Sequence, residues 1–210
     1  MYGVKSAPST YRIRWSLVIA IFGYLLAVRL LPYILYSFGM QLDPAISYYP
    51  WNFSPAFATC LFSGAFCTSR RLSSVLPLGT FLLSDLGIWA LTGRAEWAFY
   101  PWQLAIYLCL LFCTGLGFAL REKRTVLKLV GTGLLGCSIF FVVTNFAVWA
   151  LGKTYPLTPA GLMQCYVAAI PYFRNSLMST AFFGAVLFSP LCIREIAPAP
   201  QRPQCAQSAA

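Results

Sequence analysis

Residues 127–151 read LKLVGTGLLGCSIFFVVTNFAVWAL, and no charge follows Lys128 until Lys153. A helix needs about 20 predominantly apolar residues to cross a ~30 Å hydrocarbon core, so this stretch is long enough. Working outward, comparable runs occupy residues 15–36, 54–68, 74–92, 102–120 and 176–193. The expected fold class is therefore an all-α integral membrane protein, with six transmembrane helices in one bundle. The run 54–68 is short, and is expected to be tilted, sunken or shielded by its neighbours. Segment 158–172 is apolar over only about half a span. It reads as a short interfacial helix before the last span, with Thr158-Pro159 as its cap and first turn. Ser54-Pro55 similarly opens the second run.

Composition supports this reading. Of 210 residues, 59% are hydrophobic and 10% are charged, whereas a soluble domain carries about 25% charged residues. A protein core of this size cannot absorb so much apolar surface, but a bilayer can. Residues 1–14 read as a cytoplasmic N-terminal segment, 15–193 as the membrane domain and 194–210 as a disordered cytoplasmic tail. From Ala197 that tail is rich in Pro, Gln and Ala. The first apolar run is too long for a cleaved signal peptide, and Arg29 interrupts it.

The net charge is +10, which would suit nucleic acid if the basic residues shared a soluble face. They sit instead in short loops, the pattern of membrane orientation. Lys5, Arg12, Arg14, Arg70, Arg71, Arg121, Lys123, Arg124, Lys128, Arg194 and Arg202 fall on one side of a six-span topology. Arg94, Lys153 and Arg174 fall on the other. This positive-inside bias places both termini in the cytoplasm and makes the cytoplasmic membrane the expected location of a multi-pass chain. No nucleic-acid partner is expected.

Several chemistries are excluded by what the chain lacks. It has no histidine, which removes His-based triads and histidine-ligated zinc or haem. No Walker A sequence occurs, so the chain does not hydrolyse ATP through a P-loop. The eight cysteines form no Cys-x-x-Cys pair and mostly lie inside apolar runs, where free Cys behaves as a small hydrophobe. No metal and no cofactor is expected.

Polar groups inside apolar runs are costly, and so point to function or to pairing. Arg29 lies ~21 Å along the first span and Asp85 ~16 Å along the third, at 1.5 Å per residue. They read either as an intramembrane ion pair or as lining of an outward-facing cavity. Trp89 follows Asp85, and Trp149 follows Asn145, at the i, i+4 spacing of one helix face. Asn145 alternatively makes an interhelical hydrogen bond. Trp51, Trp89, Trp97, Trp102 and Trp149 fall toward the outer side, as do Tyr166 and the run Tyr172-Phe173-Arg174-Asn175. An aromatic belt would occupy both interfaces, so the asymmetry suggests a site for a small organic ligand. The long connection 37–53 suits a lid or binding loop.

Asn52-Phe53-Ser54-Pro55, Gly64-Ala65-Phe66, Leu83-Ser84-Asp85-Leu86, Thr144-Asn145-Phe146-Ala147-Val148-Trp149 and Ile170-Pro171-Tyr172-Phe173-Arg174-Asn175 form a set. With Tyr155-Pro156, Gly161-Leu162 and Cys165-Tyr166, it resembles an uncharacterised bacterial six-helix membrane-protein family over residues 50–190. That family is more distantly similar to the substrate-binding S components of energy-coupling-factor transporters. The resemblance implies an S-component-like bundle with an outward pocket. Asn52, Asp85, Trp89, Asn145, Trp149, Tyr166, Arg174 and Asn175 are then the ligand-binding candidates. It also implies a transporter partner subunit. Here only Gly23 and Ala27 approximate the Ala-x-x-x-Ala docking surface of S components, so a solitary uptake protein is the alternative form.

The expected function is binding or uptake of a small, vitamin-like organic molecule, with the bilayer itself as the other partner. Asp85 would recognise a cationic or hydrogen-bonding group. The alternative is a structural or assembly subunit, whose small-xxx-small faces (Gly23/Ala27, Thr132/Gly136) bind another membrane protein. Catalysis is not expected. Ser84 and Cys165 lack a histidine base, and Ser84 and Asp85, as i, i+1 neighbours, point apart.

Overall fold

The computed structural model describes residues 10–39, 53–67, 69–122 and 124–196. Helix α1 (Trp15–Ser37) is apolar round most of its circumference, with Arg29 as its one charge. Only the stripe Val18, Ile21, Leu25 and Val28 is buried. Helix α2 (Ala56–Phe66) follows, then α3 (Arg70–Thr92), the single turn α4 (Ala95–Ala98), α5 (Gln103–Phe118), α6 (Val126–Leu151) and α7 (Pro159–Leu187). Among the described residues four stretches are long and apolar enough to cross a membrane: α1, α3, the α4–α5 unit Ala95–Phe118, and α6.

Side-chain caps set several helix starts. Ser69 accepts from the Leu72 amide at 3.0 Å and so begins α3 at Arg70, four residues before the expected 74. Thr125 caps α6 through Lys128, and Thr158 caps α7 through Gly161 with Pro159 in its first turn. Each hydroxyl satisfies one of the amides that a helix start leaves without a partner. Gly93 ends α3 at φ 67°, a left-handed backbone that a residue without Cβ adopts freely.

Helix α2 organises the bundle. Its 11 residues span about 16 Å, half the hydrocarbon thickness. Residues 56–65 are all buried, so the short run is indeed shielded by its neighbours. Its entry lies part-way along the bundle, because the Phe53 carbonyl accepts from the Tyr24 hydroxyl at 3.2 Å. Tyr24 is about 14 Å along α1 from Trp15. The α2–α5 crossing is a backbone contact: a Cβ added to Gly64 would fall 2.2 Å from the Thr114 carbonyl oxygen. One added to Gly117 would fall 2.5 Å from that of Leu61. Arg121, beyond the end of α5, closes the C-terminus of α2 by donating to the carbonyls of Gly64 and Cys67, both at 2.8 Å. It thereby fills acceptors the helix end leaves open and places a cation at the negative end of the dipole.

Two expectations are corrected at the C-terminal side. The separate interfacial helix 158–172 and the span 176–193 are one continuous helix, α7, of 29 residues, ending at Leu187. Pro171 lies inside it. An apolar setting tolerates such a proline when neighbouring groups hold the helix. Here α6 does so: the Tyr166 hydroxyl donates to the Val142 carbonyl at 2.8 Å, and Phe141 packs on Tyr166 and Phe173. Second, the chain does not leave ordered structure at residue 194. Strand β1 (Thr10–Ile13) pairs antiparallel with β2 (Ile193–Ile196), with Arg12 opposite Arg194. This ribbon marks the terminal end of the bundle. The end of α2 lies there too, since Phe62 and Phe66 both pack on Phe188.

Candidate functional site

Toward the other, distal end, three helices bring polar side chains together in an otherwise apolar interior. Helix α3 turns one stripe inward: Ser73, Pro77, Phe81, Ser84, Asp85 and Ile88. Arg29 reaches across from α1. Its Nη2 meets Asp85 Oδ1 at 2.5 Å, and its Nε donates to Ser84 Oγ at 2.5 Å. The expectation that Ser84 and Asp85 point apart is therefore corrected. Both are buried, and one planar guanidinium spans the pair because its donors form a fixed fork. The guanidinium also lies 4.2 Å over the Phe81 ring.

Helix α5 completes the cluster. Asp85 Oδ2 accepts from the Gln103 side-chain amide and, at 2.7 Å, from the Tyr107 hydroxyl. The carboxylate is thus bound on both oxygens and only 1% exposed. Gln103 Oε1 is buried without a hydrogen-bond partner among the described residues. The Arg29 side chain, by contrast, is 21% exposed. It borders a cavity of about 180 Å³ lined by Val28, Pro32, Tyr33, Ile88, Trp97 and Tyr100. Trp97, beside Tyr33 and edge-on to Tyr36, lies under the Arg94 guanidinium at 4.6 Å and forms the rim.

The other sequence candidates lie elsewhere. Trp89 is 48% exposed and packs on Phe99. Ile88, not Trp89, continues the buried stripe of α3 after Asp85. Asn145 donates to the Phe141 carbonyl of its own helix at 2.7 Å, and the Trp149 indole donates to the Pro156 carbonyl at 2.9 Å. Tyr166 binds across to α6, and the Cys165 thiol to the Asn145 carbonyl at 3.4 Å. Arg174 is exposed on α7 and Asn175 half-buried. These residues form a polar seam along α6, α7 and their connection, apart from the cluster that α1, α3 and α5 build. Asn52 lies outside the described residues.

Gln103, Tyr107 and Tyr33 escape the sequence reading, where Trp97 figures only among the outer-side tryptophans. The available signal is the i, i+4 pair Gln103/Tyr107, two polar side chains on one face at the start of an apolar run. Among the described residues no three His, Cys, Asp or Glu side chains converge to hold a metal ion.

The fold and cluster define a helical bundle suited to multiple membrane crossings, with a neutral ionic network in its interior. The family model described as "Family of unknown function (DUF6580)" matches residues 9–199, and the chain belongs to that family. No curated protein and no solved structure matches it.

Proposed function

We propose that this chain is a multi-pass protein of the bacterial cytoplasmic membrane, with both termini inside, that binds a small organic molecule from the outer side. The reading keeps the S-component-like uptake role but moves its centre to Arg29. The observation that carries it is the division of labour in the ion pair. Asp85 is bound on both oxygens and enclosed, whereas the Arg29 side chain is partly exposed and borders an aromatic cavity. A guanidinium between aromatic faces suits a carboxylate attached to a flat or apolar body.

Size sharpens the reading. Ligand pockets commonly enclose about 300–1,000 Å³, and this one holds about 180 Å³. It accommodates the acid group of a vitamin-like molecule rather than the whole of it. The test is thermal unfolding of the purified protein against carboxylate-bearing, amine-bearing and neutral metabolites. The expected result is stabilisation by one or more carboxylates, lost in Trp97→Ala with the unliganded Tm retained. A flat response across the panel, or full retention of binding in Trp97→Ala, overturns the proposal.

One observation favours the second reading, a subunit that docks another membrane protein. Gly23 and Ala27 are exposed on α1, and a Cβ added at Gly23 meets nothing within 4 Å. Under that reading a stoichiometric membrane partner co-purifies with the wild type and is lost from Gly23→Leu. Retention of such a partner by Gly23→Leu, or its absence from both, removes this reading.

A further inference from the structure

The terminal end carries a second charged feature that the proposed function does not use. A cavity of about 440 Å³ lies where the ribbon meets α1, lined by Arg12, Arg14, Arg194, Trp15, Ser16 and the turn before β2. The three cations converge for a reason of register. Arg12 and Arg194 are direct cross-strand partners, and Arg14 follows Arg12 at the two-residue spacing of one strand face. Its amide is tied to the Cys192 carbonyl at 2.8 Å. Like charges directly opposite each other in a sheet repel.

The ion pair Arg29–Asp85 lies far away at the distal site, and the acidic residue of the ribbon, Glu195, stands at the register position opposite Tyr11 rather than opposite an arginine. The remaining terminal segments, 1–9 and 197–210, contain no Asp or Glu. The start of α1 adds to the same potential. It carries no acidic residue in its first turn, and its N-cap, Arg14, makes no side-chain cap bond. An uncapped helix start presents amide donors and a partial positive charge, a ready anion site. Three arginines and a helix start therefore face one cavity that has room for a phosphate.

We propose that Arg12, Arg14 and Arg194 bind the phosphate headgroup of an anionic phospholipid at the start of α1. The surroundings favour a lipid over a soluble phosphate. Trp15, in the cavity wall, is 55% exposed, and Ile19, one turn on, is 67% exposed. An exposed indole beside basic residues suits the headgroup level, and the exposed apolar helix below it gives the acyl chains a surface. The proposal needs the chain to sit in a bilayer, but is independent of any ligand at Arg29.

The test uses the full-length protein in nanodiscs of phosphatidylcholine alone or with added phosphatidylglycerol, followed by Tm and native mass spectrometry. Phosphatidylglycerol is expected to raise the Tm and to remain bound. Arg194→Gln is expected to weaken that binding roughly tenfold, as for loss of one charge-assisted contact. The same variant should have the opposite effect in phosphatidylcholine, where it relieves the Arg12–Arg194 repulsion and raises the Tm. A variant that merely folds badly lowers the Tm in both lipids, and that outcome overturns the proposal. Equal retention of the two lipids by the wild type does so as well. Millimolar inorganic phosphate that reproduces the entire shift in phosphatidylcholine overturns the lipid assignment in favour of a soluble anion.

Discussion

The Arg29–Asp85 cluster and the α6–α7 seam are both polar inclusions in apolar helices, but they solve the problem in different ways. In the cluster, five side chains from three helices bond to one another across sequence separations of up to 56 residues. In the seam, the side chains of Asn145, Trp149 and Tyr166 are satisfied by backbone carbonyls no more than 24 residues away. The first arrangement depends on every member, because each removal strands a charge or its partner. The second depends on none, since each bond uses a carbonyl that remains in place. A binding role fits the cluster better for the same reason: it holds a charge in place with part of its surface open, while the seam consumes its own donors.

Substitutions can break that contrast. The largest effect is expected from Asp85→Ala, which leaves the Arg29 guanidinium without its counter-charge. Breaking a buried pair from one side costs about 3–5 kcal/mol, so the variant should lose its monodisperse peak in detergent or unfold far below the wild type. Joint replacement by Arg29→Met and Asp85→Leu should recover most of that loss, because no charge is then stranded. Failure of the double variant to exceed Asp85→Ala would show that shape rather than charge dominates the site.

Next in size is Tyr107→Phe, which removes a hydrogen bond to a charged acceptor and should cost about 1.5–3 kcal/mol in a denaturation experiment. In the seam, Trp149→Phe removes one exposed bond from the indole to the Pro156 carbonyl and should cost about 0.5–1 kcal/mol. Asn145→Ala should lie nearest to zero. Its amide bonds only to its own helix, so its loss frees no buried charge. A seam variant as damaging as Tyr107→Phe would erase the distinction between the two regions.

The cluster was half legible in the sequence. Arg29 and Asp85 stand out because a charge in an apolar run must find a partner. Gln103 and Tyr107 do not, since polar residues at the start of a span read equally well as interfacial. The length of the second run left a tilted, sunken or shielded helix open, and burial of residues 56–65 selects the last. The continuity of α7 was not: Pro171, Arg174 and Asn175 together imitate a break, and only packing on α6 shows how the helix survives them. The ribbon was hidden for another reason. Four-residue strands carry too little periodicity to read, and their arginines were already explained as orientation signals. The same double use hid Arg121, which counts as a loop charge in sequence and caps α2 in space.

That cap has a consequence for biogenesis. Helix α2 has almost no exposed surface, and its last carbonyls find their donor 57 residues later in the chain. A buried carbonyl left without a donor is costly, so the C-terminus of α2 has no partner until α5 and Arg121 have been made. Synthesis of the first four helical segments alone yields a chain that cannot yet close around its own centre.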